Sequence, residues 1–295
     1  MSDKKKKDIF APYVAVDENL PKHGNKIVFR DEQNKAIKDA FDHLSKPGQK
    51  RKFLWNAKMR FGKTICAMEL VRRLDAKTTL IVTHRPVVDE GWHKDFEKIF
   101  NPARLESLKE DLLAADKTYK YGSRSLEDED GLGFSELTAF AKKKDCYGVY
   151  FVSMQYLALA EIAGGKNTEK QKRDILEFPW DMVIVDEAHE GTQTDRGQNV
   201  LSILAKPATK MLHLSGTPFN LYDDFGDDEL YTWDYVMEQT AKESWDSTNG
   251  PNPYLTLPRM NIFTYDLGQL VVGKGASFTF AEFFRTKSGV NLPAS

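Results

Sequence analysis

Five short apolar runs, at residues 53–56, 79–83, 147–153, 182–186 and 211–214, recur along the chain among stretches of helical patterning such as 32–44 and 63–74. Parallel strands need a long crossover to return, and strands covered on both faces are apolar throughout instead of alternating. The pattern therefore predicts an α/β fold: a doubly wound, mostly parallel sheet with helices on both faces. In such a sheet ligands bind beyond the carboxyl ends of the strands, so the residues just after each run are the first place to look for chemistry.

The segment after the first run reads Ala57-Lys58-Met59-Arg60-Phe61-Gly62-Lys63-Thr64 and leads into a helical pattern. A strand, a glycine-bearing turn and a helix in that order make a phosphate-binding loop. Successive backbone N–H groups and the positive helix end surround the phosphates, a lysine reaches the β and γ groups, and a hydroxyl ligates Mg²⁺. Lys63 and Thr64 fit the last two roles. Ala57 and Arg60 stand where the general pattern has glycine.

The fourth run, Met182-Val183-Ile184-Val185, ends in Asp186-Glu187-Ala188-His189. An acid at a strand end can hold Mg²⁺ through its water shell, and a neighbouring carboxylate can orient or deprotonate the water that attacks a γ-phosphate. The expectation is Asp186 for the metal and Glu187 for the water. An Asp-Glu pair can also be a helix cap with a first-turn acid, but a cap does not require four apolar residues before it.

These residues resemble the superfamily 2 helicases of the DEAH-box kind, particularly the helicase subunits of type I and type III restriction enzymes and related phage or plasmid helicases. The resemblance runs over roughly 29–219. Ala57 to Thr64 is similar to the family's motif I in its alanine-first form, and Asp186 to His189 to its motif II. Leu214-Ser215-Gly216-Thr217-Pro218 is similar to its motif III. The resemblance implies a RecA-like P-loop NTPase lobe that takes ATP and Mg²⁺, with His189, Ser215 and Thr217 coupling hydrolysis to movement. Arg30-Asp31-Glu32-Gln33 resembles the Arg-x-x-Gln segment whose glutamine reads the adenine edge, which makes Gln33, with Arg30, the expected base contact. Val82-Thr83-His84-Arg85 and Val152-Ser153-Met154-Gln155 are similar to segments that touch nucleic acid, so Arg85, Ser153 and Gln155 are expected at DNA or RNA backbone phosphates. Trp92 and Phe96, four apart at helical spacing, are expected to pack helix against sheet.

Composition narrows the remaining classes. With 41% hydrophobic and 29% charged residues the chain reads as globular, and no apolar stretch approaches the length of a membrane span. A net charge of −2 leaves any nucleic-acid contact to a local basic surface. Cys66 and Cys146 are too few for a disulfide framework or a four-ligand zinc site, and the expected compartment is the cytoplasm. The lysines at 4–7 read as a solvated terminal arm.

The expected organisation is a basic arm and lead-in at 1–28, a nucleotide-binding domain at 29–220 with a polar insertion at about 101–145, and an acidic, aromatic region at 221–295. That last region is either docked on the domain or a connector, with a strand expected at 260–265. The resemblance also implies a second RecA-like lobe carrying arginine fingers. No Gln-x-x-Gly-Arg-x-x-Arg-like motif occurs after Phe219, where only Arg259 and Arg285 remain. The chain is therefore expected to be one lobe of a longer enzyme, accompanied by a nuclease or methyltransferase domain or subunit. Three classes of function stay open: a nucleic-acid motor, a nucleotide-gated switch or assembly module, and a P-loop kinase or transferase.

Overall fold

In a computed structural model, the described residues are 27–46, 51–107, 117–124, 131–188, 194–217, 221–257 and 259. The lysines at 4–7, His189, Pro218, Arg285 and the strand expected at 260–265 lie outside them.

The elements run α1 (Asp31–Leu44), β1 (Lys52–Ala57), α2 (Lys63–Arg73), β2 (Thr78–Thr83), α3 (Asp89–Phe100), α4 (Pro102–Ser107), β3 (Thr118–Ser123), α5 (Phe134–Ala141), β4 (Cys146–Ser153), α6 (Met154–Ala158), α7 (Lys170–Glu177), β5 (Met182–Asp186), α8 (Asp195–Leu204), β6 (Lys210–Ser215), β7 (Leu230–Trp233) and α9 (Tyr235–Glu243). The seven strands form one sheet in the order β3-β4-β2-β5-β6-β1-β7, and every pairing is parallel. β5, which ends in Asp186, is separated from β1, which leads into the Ala57–Thr64 loop, by β6, which ends in Ser215. This is the RecA-like α/β arrangement that the sequence predicts, and each of the five expected strands lies within β1, β2, β4, β5 or β6.

Burial explains why these runs are apolar throughout. β1, β2 and β6 expose none of their residues after the first, and β5 is buried until it reaches Asp186. On one face Leu54, Leu80, Val82, Tyr150, Val183 and Val185 pack against Leu137 of α5, Leu157 of α6, Ile175 of α7 and Val200 of α8. The alternate residues, including Phe53, Trp55, Ile81 and Ile184, face the opposite way, where α1, α2 and α3 pack in series. At about 25 cal/mol per Å² of apolar surface, such side chains contribute roughly 1.5–3 kcal/mol each when fully buried.

Two regions hold strands and helices that the sequence reading does not name. The segment 101–145 supplies α4, the edge strand β3 and α5. β3 reads Thr-Tyr-Lys-Tyr-Gly-Ser, and its first half is half-buried to exposed, as suits an edge strand with no run of aliphatic residues to announce it. After residue 220 the chain returns to the sheet: β7 pairs with β1 from Leu54↔Leu230 to Ala57↔Trp233, and the compact unit extends to Tyr254. Of its rings, Tyr231, Trp233 and Tyr254 are buried, while Tyr235 is half-buried.

Behind the phosphate loop, α2 and α4 are joined by a fully buried ionic group. Glu69 accepts from Arg72 Nη2 at 2.8 Å, Arg73 Nε at 2.8 Å and Arg104 Nη2 at 2.9 Å. Burial works to raise the Glu69 carboxyl, and the guanidinium groups of Arg72 and Arg104 overcome it, holding the group well below the usual carboxylate range.

Candidate functional site

Register places the motif residues in one row. At the carboxyl edge Thr83 pairs with both Ser153 and Asp186, Ser215 pairs with Asn56, and Ala57 pairs with Trp233. Motifs separated by up to 158 positions in sequence thus meet because parallel strands all present the same end on the same side.

The loop from Ala57 to Thr64 turns sharply. Gly62 caps α2 in the left-handed region at φ 90°, the conformation that favours glycine, and a Cβ there would lie 2.7 Å from Gln33 Nε2 and displace that amide. Arg60 also sits left-handed, at φ 67°. It holds the backbone shape that glycine at that place gives freely, with its side chain in solvent. Met59 is exposed, and Thr64 is half-buried in the first turn of α2. Lys58 is turned away from the loop interior: its backbone N–H donates to the Trp233 carbonyl at 3.1 Å and its ammonium to Glu238 at 2.5 Å.

Lys63 Nζ donates to the Ala57 carbonyl at 2.7 Å and approaches the Lys58 carbonyl at 3.4 Å. A Cβ built on Gly216 would lie 3.9 Å from the same nitrogen, which puts the motif III turn against the loop. Burial lowers the Lys63 pKa, and the carboxylates of Glu187 and Asp186 oppose it. Burial likewise raises the Asp186 pKa, against a hydrogen bond from Trp92. The ammonium and the two acids therefore share one poorly solvated space.

Asp186 is held through both oxygens: Oδ1 accepts the Glu187 N–H at 3.0 Å and Oδ2 accepts the Trp92 indole N–H at 3.1 Å. Glu187 has φ 51°, a left-handed turn that takes the chain off the strand within one residue. The next N–H, of Ala188, donates to the Leu214 carbonyl at 2.9 Å and ties motif II to the motif III strand. Ser215 is fully buried and accepts the Thr217 N–H at 3.1 Å.

On α1, Gln33 spans two backbones. Its Oε1 accepts the Arg30 N–H at 2.9 Å and its Nε2 donates to the Phe61 carbonyl at 2.6 Å, where Arg30 Nη2 also donates at 3.0 Å. The Arg-x-x-Gln segment is thereby locked to the loop. β7 and the segment after α9 add to this clamp: Tyr231 Oη donates to the Glu32 carbonyl and Tyr254 Oη to the Glu32 carboxylate, both at 2.8 Å.

The expected nucleic-acid residues lie farther along the same edge. Arg85 has an exposed side chain and its N–H donates to Thr83 Oγ1 at 3.1 Å. Ser153 caps α6 by accepting the Tyr156 N–H at 3.3 Å. Gln155 donates its amide to the His84 carbonyl, linking the two segments to each other. Sequence reasoning missed the hydrogen bond from Trp92 to Asp186 and the Glu238 ion pair. Trp92 is buried between helix and sheet, as its helical spacing predicts. Its polar end carries no sequence signal, because a buried Trp at helical spacing looks the same with or without an acceptor.

A family model described as Type III restriction enzyme, res subunit, matches residues 26–220. The chain is 23% identical, over 88% of its length, to the C-terminal part of a putative type II restriction enzyme and methyltransferase of Mycoplasma pneumoniae, and spans 40% of that relative. Similar solved structures include the UvsW helicase from bacteriophage T4, at TM-score 0.42 and 15% identity, covering 72% of this chain and 62% of that one. A nuclease-deletion mutant of the Type ISP restriction-modification enzyme LlaGI in complex with a DNA substrate mimic gives TM-score 0.47 and 15% identity, covering 74% of this chain and 21% of that one.

Proposed function

Since the chain belongs to the type III restriction enzyme res-subunit family, we propose that it is the ATP-binding first lobe of a nucleic-acid-dependent ATPase, a helicase or DNA translocase of a restriction or mobile-element system. The observation that carries this reading is the row at the sheet edge, in which the Lys63 loop, the Asp186-Glu187 pair and the Ser215 turn adjoin one another.

The donor set suits Mg²⁺ delivered with a nucleotide. Among the described residues no group of three or more His, Cys, Asp or Glu side chains is placed to hold a metal alone. One hydroxyl, Thr64, and one carboxylate, Asp186, leave the other positions to phosphate oxygens and water, the usual habit of this ion. When bound, Mg²⁺ neutralises charge on the phosphate oxygens. Lys63 turns its ammonium to the β and γ phosphates, and backbone N–H groups at the start of α2 hold the phosphate oxygens. Glu187 accepts the attacking water's proton, and Gln33 and Arg30 fix the adenine side of the loop. Ser215 and Thr217, with His189, pass the nucleotide state to the neighbouring strands. Arg85, Ser153 and Gln155 line the path of a DNA or RNA backbone, read without base contacts.

An arginine that stabilises the transferring phosphoryl group comes, on this reading, from a second RecA-like lobe, and is worth ~10³ to 10⁵ in rate. A nuclease or methyltransferase belongs to the same system. No helix among the described residues is long and apolar enough to cross a membrane.

The test is a steady-state ATPase assay on the chain with and without single-stranded and duplex DNA and RNA, with Lys63→Ala as background. Measurable binding of ATP with Mg²⁺, very slow turnover and little stimulation are expected. Robust stimulated turnover by this chain alone would overturn the half-site reading and make Arg259 and Arg285 the first residues to replace.

A further inference from the structure

Five tryptophans occur in the chain, and their indole nitrogens meet different fates. Trp180 donates to the Ile175 carbonyl and Trp245 to the Gly250 carbonyl, both ordinary backbone acceptors. Trp55, fully buried in β1, has no acceptor among the described residues. Trp92 donates to a carboxylate, Asp186 Oδ2, from a side chain that is 1% exposed. With the Glu187 N–H on Oδ1, each oxygen of the Asp186 carboxylate accepts one donor, which restrains its orientation.

The helix that carries Trp92 is anchored elsewhere too. Asp89, in its first turn, accepts from Tyr121 Oη at 2.7 Å and from Ser123 Oγ, both on β3. Only the short turn Pro86–Val88 separates α3 from Arg85, and the His84 carbonyl just before it is held by Gln155. A continuous set of bonds therefore runs from the Arg85 segment through α3 to the carboxylate.

We propose that Trp92 is a positioning residue that orients Asp186 toward a nucleotide-bound divalent cation and carries the state of that carboxylate into α3 and the Arg85 segment. The proposal rests on the assignment of Asp186 to the metal, and its test separates the two. A residue that only fills space would be replaced by phenylalanine without effect on metal dependence, whereas the indole N–H is lost in that change.

ATP affinity is measured by calorimetry with EDTA and with Mg²⁺ for the wild-type chain, Trp92→Phe and Asp186→Asn; the ratio of the two affinities is the gain conferred by the metal. Trp92→Phe is expected to cut that gain about tenfold or more, the lower end of what one hydrogen bond to a charged group contributes, with affinity in EDTA unchanged. Asp186→Asn removes the gain. In parallel, adding Mg²⁺ to the ATP-bound wild-type chain slows amide hydrogen exchange in residues 89–100. That slowing is absent in both variants, while slowing in 57–64 persists. A full metal gain and a full α3 response in Trp92→Phe would overturn the role of Trp92 and leave Asp186 in place. A full gain in Asp186→Asn would overturn the metal assignment itself. Should Trp92→Phe not fold, the exchange comparison of wild type with Asp186→Asn decides: no metal-dependent slowing in α3 of the wild type overturns the proposal, and slowing that Asp186→Asn lacks sustains it.

Discussion

The Lys63 ammonium donates to the Ala57 carbonyl at 2.7 Å, closing the phosphate loop on the strand that precedes it. One side chain thus shapes the loop and, on the proposed reading, also supplies its cation, in a space where burial lowers its pKa and two carboxylates oppose that shift.

Lys63→Ala is accordingly expected to abolish measurable binding of ATP with Mg²⁺ while leaving the fold in place. Calorimetric titration beside a thermal melt checks this. Wild-type affinity in the variant would remove the loop from nucleotide binding.

Glu187 leaves the strand in a left-handed turn beside Asp186. Glu187→Gln keeps the shape but cannot accept a proton. In an assembly that includes the second lobe, the variant should bind ATP as the wild type does and lose most of its hydrolysis, on the order of 10²-fold or more. Single-turnover rates near wild type would assign the water to another group.

Arg60 pays for its left-handed backbone with roughly 1–2 kcal/mol of strain. Arg60→Gly removes the strain at some cost in unfolded-state entropy, so it should melt at or above wild type. Arg60→Val, β-branched at positive φ, should melt lower by an amount equivalent to at least ~1 kcal/mol. A Val variant as stable as the Gly variant would show that the loop does not hold this conformation in solution.

His213, in β6, is buried against Phe225, and burial with the nearby Lys52 lowers its pKa from 6.5 to about 4. The folded state therefore binds fewer protons than the unfolded state between those values. The stability tied to neutral His213 is complete above pH 6.5 and is lost as pH falls toward 4, about 3 kcal/mol over that window by the usual linkage relation. Denaturant midpoints across pH 4–7 should fall less steeply for His213→Gln than for wild type. Parallel slopes would mean that His213 takes up its proton without opposing the fold.

The sheet itself was legible in the sequence. Runs 53–56, 79–83, 147–153, 182–186 and 211–214 are apolar because both faces of β1, β2, β4, β5 and β6 are covered, and a doubly covered strand has no polar side to hide. The candidate site residues were nameable for a related reason: a parallel sheet delivers every strand end to one edge, so residues just after the strands become neighbours across it. The edge strands were not legible. β3 and β7 are rich in tyrosine, tryptophan and threonine and mix exposed or half-buried positions with buried ones, a pattern that loops and surface turns share.

Periodicity and motif order, both local properties of the chain, determined the α/β class and the five inner strands, and they named the candidates at the Ala57–Thr64 loop and the Asp186-Glu187 pair. Tertiary structure alone decided that Lys58 pairs with Glu238, that Gln33 and Arg30 meet the Phe61 carbonyl, and that an indole on α3 holds Asp186. Each of these joins residues 28 to 180 positions apart. Their partners are chosen by which side chains the packed layers bring within 3 Å or so, a distance condition that no local pattern encodes.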